Sequence, residues 1–331
     1  MTEWSEMVGH NLQLLQIPNG SVCSQHPVAR AHMDSATVPC FCQRAESCIA
    51  NLQQLNPNVT ITANTSSVSS TVASNPAFFT QFRAICMVNQ SMEDQIAVNN
   101  LLRQSSSSSS SSSTTSPSNS STTVASSIPA FFTGECFGLY AYFFEDLQYH
   151  TYTHTKTRKD ARGLDEEVVT TETKHYPRSL AELYDMSTLK YSALAKSFGR
   201  KKQEKLALEV WLGLKTLLHW RHQQHAASLS SANPPSDTVA TYPTLTDSAT
   251  AALYLQRENI AEQLDIPSTV LPQTTLLRMA RMAGHELSPI CAVVGGILGQ
   301  EILKVLSGKD EPLSNTFVYG GEEGFGLMKD L

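Results

Sequence analysis

Hydrophobic residues after position 42 follow helical spacing first and strand spacing next. The residues from Ala45 to Leu55 repeat at helical spacing and predict a helix that ends before Pro57. Val59 begins a short predicted strand. The unbroken apolar run Ala84–Val88 is typical of a strand that is buried on both faces. This order predicts that a helix leads into a sheet.

The alternation continues up to a long serine tract and resumes beyond it. Ser91 and Asp94 have the spacing of a capping box, which opens a helix to about Arg103. Residues 104–127, rich in serine, cannot bury apolar surface and predict a disordered insertion. The aromatic run Leu139–Phe144 predicts a strand. Residues 43–148 therefore read as the first part of a doubly wound α/β domain.

The second half begins with an insertion and returns to the α/β pattern. Residues 149–245 read as a separate, mainly helical region, because Leu206, Val210 and Leu214 form one helical stripe. Residues 246–331 return to helices and a final strand around Phe317. The expected class is α/β: a partial doubly wound, Rossmann-like fold with an inserted helical region.

The segment Leu287–Lys304 carries the clearest helical signal. Pro289 suits the first turn of a helix, and Gly308 suits the position just beyond its end. Gly295 and Gly296 interrupt good helix formers at a cost of about 1 kcal/mol each. We therefore expect these glycines to allow a close approach to another backbone.

Composition and charge argue against several classes of protein. The 331 residues have a net charge of −6 and an isoelectric point near 5.9, which argues against a nucleic-acid or anionic membrane surface. No apolar run approaches the ~18 residues that a membrane span needs. Seven cysteines, an odd number, fit a reducing compartment better than a disulfide framework. These features predict an intracellular protein.

Candidate metal ligands lack the spacing of a metal site. Cys40 and Cys42 are close together, but no second pair completes a zinc set. His219, His222 and His225 repeat along a predicted helix with no carboxylate or cysteine nearby, which favours a polar helix end. No metal site is predicted.

Several motifs resemble the adenylation fold of activating enzymes for ubiquitin-like proteins, most closely the non-catalytic subunits of the SUMO-activating type. The matching segments are 44–46, 78–82, 131–138 and 287–304. Residues 1–42 do not match and read as an unrelated or disordered segment. The motif residues singled out as partner-facing or structural are Phe131, Phe132, Gly134, Gly138, Pro289, Gly295, Gly296, Gln300 and Glu301.

The resemblance implies that the enzyme has two subunits and that only one of them carries the catalytic groups. A catalytic partner would bind ATP and Mg²⁺, adenylate SUMO and carry the thioester cysteine. Here no G-x-G-x-x-G loop occurs, and the nearest segment, Gly321–Gly326, reads as a flexible tail. No cysteine lies between Cys136 and Cys291, and Arg44 is at best a vestige of a nucleotide contact. We therefore expect no catalytic residue and no bound cofactor or metal in this chain.

The family's first strand, glycine turn and second strand have no counterpart here. We therefore expect strand 84–88 to keep an unpaired edge, and favour an incomplete or alternatively spliced product over a fragment that its partner completes. Three functions stay open: the SUMO-type subunit, the equivalent subunit for another modifier such as NEDD8, and a non-enzymatic binding module. A nuclear location, with or without cytoplasmic protein, follows from the resemblance alone.

Overall fold

The computed structural model describes residues 44–64, 66–109, 128–159, 165–185, 190–229, 242, 244–267, 269–313 and 315–331. The predictions for residues 1–42, including the zinc question at Cys40 and Cys42, lie outside these ranges, as do most of those for the serine tract. The described helices are α1 (Arg44–Leu55), α2 (Val68–Ser74), a 3₁₀ helix (Pro76–Gln81), α3 (Met92–Ser109), α4 (Leu180–Tyr184), α5 (Tyr191–Phe198), α6 (Lys202–Leu229), α7 (Asp247–Leu264), α8 (Gln273–Met282) and α9 (Ser288–Ser307). The described strands are β1 (Ala84–Val88), β2 (Ala130–Phe137), β3 (Tyr140–Asp146), β4 (Tyr149–Lys159), β5 (Asp165–His175), β6 (Thr316–Gly320) and β7 (Phe325–Lys329).

Five of the described strands form one mixed sheet in the order β1-β2-β3-β6-β7. β1 and β2 are parallel, with Ala84 opposite Ala130, and the other neighbours are antiparallel. Parallel β1 and β2 are joined through a helix, and short turns join β2 to β3 and β6 to β7. Residues 147–315 separate the antiparallel neighbours β3 and β6. This arrangement of sheet and helices confirms the predicted α/β class. Among the described strands only β2 pairs with β1, which agrees with the edge expected for that strand.

Each face of the sheet has its own apolar cluster. Side chains of a strand alternate between the two faces, so Phe131 joins one cluster and Phe132 the other. The larger cluster lies under α3 to α8 and includes Trp211 and Trp220. The smaller one is covered by α9. Helix α9 is therefore separated from most other helices by the thickness of the sheet.

The inserted region departs from the prediction in its first third. Residues 149–159 and 165–175 form two paired antiparallel strands, β4 and β5, in place of helix. Threonine at every second position of β4, from Thr151 to Thr157, is a strand pattern that the helical interpretation overlooked. The rest of the described insertion is helical: α6 was predicted correctly, and Val210, Leu214 and Leu217 are buried along it.

Three predictions about local structure between Val59 and Ser109 are corrected. Val59 lies in a turn after α1, because the Gln53 amide donates to the Val59 carbonyl over 2.8 Å and holds that group outside any strand. Burial alternates along β1 and Val88 is exposed, so this strand is not buried on both faces. Helix α3 continues to Ser109, into the serine tract, with the Ser105 hydroxyl bonded to the carbonyl one turn earlier.

The glycine-rich end of the chain is ordered. Residues 321–324 form the turn that joins β6 to β7, and Gly324 has the left-handed φ of 67° that glycine tolerates. Phe325 is buried and pairs with Gly320 across the turn. The prediction of a flexible tail is therefore wrong, because the apolar alternation of β7 completes the sheet.

Candidate protein-interaction surface

Helix α9 begins and ends as its sequence predicts. Pro289 lies in the first turn, where a missing N–H leaves no bond unmade. Gly308 follows the helix with a left-handed φ of 63°, and Lys304 lies in the last turn, where the helix dipole favours a cation. Local sequence therefore fixes the position of α9 along the chain.

The inner face of α9 packs on the sheet. Ile290, Val294 and Leu298 are buried in the smaller apolar cluster. Beneath them the rings of Phe143 and Phe317 stack with their centroids 4.9 Å apart. Apolar burial on this side holds the helix to the sheet.

The opposite face of α9 is also apolar, but it is exposed. Val293 is 46% exposed and Leu303 is 58% exposed. Gln300 lies between them and is exposed as well. Residues at this spacing share one side of a helix. The outer face of α9 is defined here by Val293, Gly295, Gly296, Gly299, Gln300 and Leu303.

The glycines of this face meet open space. A Cβ atom added to Gly295, Gly296 or Gly299 would have no atom within 4 Å among the described residues. Gly295 and Gly296 therefore make no close approach to another backbone within the described part of the chain. Because glycine has no side chain, these positions form a shallow apolar strip that a second backbone could approach closely.

Helix α9 has the length and composition of a membrane span, although no apolar run of that length was predicted from the sequence. Its mean hydropathy is 1.6 over the most apolar window, of which 22% is buried. One helix of this kind is weak support for a membrane protein, because core helices of globular proteins can have the same length and composition. In this chain the inner face of α9 packs on the sheet and carries the buried carboxyl group of Glu301.

The aromatic and glycine motif of β2 lies inside the protein. Phe131 and Phe132 are buried. A Cβ atom on Gly134 would lie 2.9 Å from the adjacent strand, and Gly138 has a φ of 63° with its missing Cβ 2.5 Å from the Met282 Cβ. These four residues build the sheet and its turn, whereas Pro289, Gly295, Gly296 and Gln300 are exposed.

Glu301 faces inward beside a second buried carboxyl group. It accepts a hydrogen bond from the Leu313 N–H over 2.9 Å and pairs with Lys304 at 2.8 Å. Glu145 on β3 is buried, and neither of its carboxyl oxygens has a hydrogen-bond partner among the described residues. Burial raises the pKa of Glu145 well above its usual range, and the charge of Glu301 raises it further. Both effects favour the neutral form of Glu145.

A buried ion pair lies on the other side of the sheet and was not predicted from the sequence. Arg221 on α6 donates through Nη2 to Glu135 on β2 over 2.8 Å, and both side chains are buried. The Tyr242 hydroxyl donates to the same carboxylate over 3.4 Å. Two features of the sequence could have indicated this pair. β2 contains one acidic residue among apolar ones, and the apolar stripe of α6 contains one arginine. The pair joins the insertion to the sheet.

The glycine-rich turn at 321–324 is not arranged as a phosphate-binding loop. It is followed by β7 and not by a helix whose N-terminus could hold phosphate. No group of three His, Cys, Asp or Glu side chains in the described ranges could hold a metal ion. Arg44 is the first residue of α1. The His219 ring bonds to the Tyr184 carbonyl, and His222 pairs with Glu93.

Comparison with known proteins agrees with this fold. A model of the ThiF family matches residues 38–322. SUMO-activating enzyme subunit 1 of Homo sapiens is 28% identical over 305 residues, covering 87% of this chain and 73% of the relative. The subunit 1 of Danio rerio is 27% identical over 296 residues, covering 86% and 72%. Subunit 1B-1 of Arabidopsis thaliana is 27% identical over 292 residues, covering 87% and 71%. The chain therefore belongs to the ThiF family, and within that family it is similar to subunit 1 of the SUMO-activating enzyme.

Proposed function

We propose that this chain is the non-catalytic subunit of a SUMO-activating enzyme. In this proposal a catalytic subunit binds ATP and Mg²⁺, adenylates SUMO and forms the thioester. The absence of any cysteine from residues 137–290 supports the assignment, because thioester transfer needs a thiol. The glycine-rich turn at 321–324 supports it as well, because a strand follows it and not a helix whose N-terminus could hold phosphate.

The outer face of α9 is the observation on which the proposal depends. Contiguous apolar surface on a helix costs free energy in water and is typical of an interaction site. Val293 and Leu303 would become buried against the partner, and Gly295, Gly296 and Gly299 would let the partner's backbone come close. We propose that the catalytic subunit covers this face. A nuclear location, with or without cytoplasmic protein, is part of the same proposal.

Reconstitution with the catalytic subunit tests the assignment. The chain is mixed with a purified catalytic subunit of a SUMO-activating enzyme, and the mass of the complex and ATP–pyrophosphate exchange with SUMO are measured. We expect a 1:1 complex and restored exchange. Leu303→Arg should weaken assembly at least tenfold, because it places a charge in the proposed interface. Leu255→Arg is the matched control, since Leu255 on α7 is 63% exposed but lies on another helix.

The other possible outcomes would each contradict a part of the proposal. Assembly without exchange would contradict the enzymatic role and favour a non-enzymatic binding module. Assembly with the NEDD8-type catalytic subunit alone would assign the chain to that modifier. A chain that stays monomeric with both subunits would overturn the proposal, and equal effects of the two arginine variants would remove α9 from it.

A further inference from the structure

Strands β4 and β5 form a ribbon with two edges, and described residues cover only one of these edges. The Thr153 N–H donates to the Gly308 carbonyl over 2.8 Å, and the Thr153 carbonyl accepts from the Asp310 N–H over 2.9 Å. These two bonds attach the outer edge of β4 to the segment that follows α9. Among the described strands, only β4 pairs with β5. The outer edge of β5 is therefore left without a neighbour.

The register of the ribbon shows which backbone groups lie on the outer edge of β5. Thr171 lies opposite Thr153. Opposed residues of an antiparallel pair point their backbone groups either at each other or at the two outer edges, so the Thr171 N–H and carbonyl point away from β4. The same holds for Glu167, Val169 and Thr173, which alternate with the residues that bond to β4. All four residues are exposed, and no backbone hydrogen bond to another segment of the described chain uses these groups. Unpaired groups of this kind can bond to a further strand.

The order of charges along β5 fits a second copy of the same strand. Its first three residues, 165–167, are acidic, and its last two residues are Lys174 and His175. When β5 pairs with itself in antiparallel orientation over its whole length, position 165 lies opposite position 175 of the second copy, and position 166 lies opposite position 174. Opposite charges across a pair of strands are favourable, whereas a parallel arrangement would place the acidic positions together. The charges therefore select the antiparallel register.

We propose that two copies of this chain associate through β5, in the antiparallel register centred on Thr170, and form a four-stranded sheet in the order β4-β5-β5-β4. In this register Glu167 lies opposite Thr173 of the second copy, and Val169 lies opposite Thr171. These are the residues whose backbone groups point outward, so each N–H meets a carbonyl. The two Val169 side chains, each 65% exposed in the single chain, become diagonal neighbours on one face of the sheet. The contact is two-fold, because both copies use the same surface.

The association is expected to be weak and reversible. One pair of strand edges falls at the low end of interface sizes, below ~1,200 Å². The chain is therefore monomeric at dilution, where its complex with the proposed catalytic subunit has a 1:1 composition. The self-association uses β5 and the proposed heterodimer uses α9, so the failure of one proposal would leave the other standing.

A cysteine at the centre of the register tests the geometry. Thr170 would face its own copy as a non-hydrogen-bonded pair, with Cα atoms ~4.5 Å apart, a separation that a disulfide can span. Under mild oxidation with diamide, Thr170→Cys should form a covalent dimer on a non-reducing gel, and dithiothreitol should separate it. Thr155→Cys is the matched control, because Thr155 is also exposed but lies on β4. It should remain monomeric, as should the wild type. Equal crosslinking of both variants would contradict the register.

Sedimentation velocity over a range of protein concentrations measures the association without a crosslink. We expect a reversible monomer–dimer equilibrium for the wild type. Val169→Pro removes one outward N–H of β5 and should weaken the dimer about tenfold or more. Thr155→Pro is the matched control: Thr155 lies opposite Val169, and proline there removes an N–H from the outer edge of β4. This control should dimerise as the wild type does.

A charge exchange tests the register a second time and does not depend on proline. Lys174→Glu should weaken the dimer, because it places two acidic residues opposite each other at both ends of the pairing. Adding Glu166→Lys should restore the dimer, since the opposite charges are then re-formed with their signs exchanged. A wild-type chain that stays monomeric at its highest soluble concentration would overturn the proposal. So would a dimer that Leu303→Arg abolishes and Val169→Pro leaves intact.

Discussion

The Arg103 guanidinium donates to both carboxylate oxygens of Asp146, over 2.6 Å and 2.9 Å. The same group donates to the carbonyls of Tyr176 and Arg178, over 3.2 Å and 2.6 Å. Asp146 is buried at the end of β3. One arginine thus joins α3 to the sheet and to the segment that leads into α4.

Loss of this arginine should destabilise the protein strongly. Arg103→Ala leaves a buried carboxylate without its charged partner and should lower the free energy of unfolding by about 3 kcal/mol. Arg103→Lys should recover only part of the lost free energy of unfolding, because an ammonium group cannot form the two parallel hydrogen bonds to the Asp146 carboxylate. Urea unfolding measures both. Arg278→Ala is the control: its pair with Glu322 is exposed and should cost less than about 1 kcal/mol. Equal losses at the two sites would contradict the prediction.

Glu145 should make the protein less stable as the pH rises. Burial, followed by the charge of Glu301, raises its pKa in the folded state, so the folded protein keeps a proton that the unfolded chain loses above its ordinary pKa of 4.5. Stability therefore falls as the pH rises above that value. Glu145→Gln should remove this slope and gain at least about 1 kcal/mol at pH 7.

Urea unfolding of wild type and Glu145→Gln at pH 5, 6, 7 and 8 measures this effect. The difference between them should grow with pH. Glu311→Gln serves as the control, because its exposed carboxyl group has no such penalty. A difference that stays constant across the series would show that Glu145 is ionised in the folded protein.

Lys215 should have the opposite pH dependence. Its Nζ lies 3.9 Å from the centroid of the Tyr184 ring and has no hydrogen-bond partner among the described residues. Burial lowers its pKa well below the usual 10.5, so the unfolded chain binds a proton that the folded protein does not. Stability should therefore fall as the pH falls below 10.5.

Lys215→Met should relieve this penalty. We expect a gain of about 1–3 kcal/mol at pH 7, larger at pH 6 than at pH 9, in chemical unfolding. Lys205→Met, at an exposed position of the same helix, should change the stability little. A destabilised Lys215→Met protein would mean that the amine makes a contact which the structure does not show.

Alanine should have opposite effects at Gly295, on the outer face of α9, and at Gly138, in the turn between β2 and β3. Gly295→Ala meets no atom within 4 Å and should stabilise the isolated chain by about 0.5–1 kcal/mol, since alanine favours a helix. Gly138→Ala should destabilise it by about 1–2 kcal/mol, because its φ is positive and Met282 blocks the new Cβ. Thermal unfolding compares them. A destabilising Gly295→Ala would mean that the outer face of α9 is already covered in the free chain.

Local patterns of the sequence predicted most of the regular elements. Helix α6 follows from its stripe of leucine and valine, and the ends of α9 follow from Pro289 and Gly308. These are local effects, because hydrophobic spacing and backbone geometry act over a few residues. The pair of strands β4 and β5 was missed where the alternation of threonines was weighed less than the helices that follow it.

The candidate site was predicted less completely than the fold. The sequence located α9 but not its orientation, so it did not show that Gly295 and Gly296 lie on the exposed face. The buried groups Glu145 and Arg221 were missed, since neither has a recognisable motif. Their partners lie on other elements, and long-range contacts of this kind have no signature in a single chain.

By itself, the sequence determined the family, the α/β class, the ends of α9 and the absence of a thioester cysteine from the insertion. Each of these depends on residue types at fixed spacing. Only the tertiary structure decided which face of α9 is covered and which carboxyl groups are buried. Those properties arise when packing brings distant segments together, and burial then changes the energies of the groups enclosed.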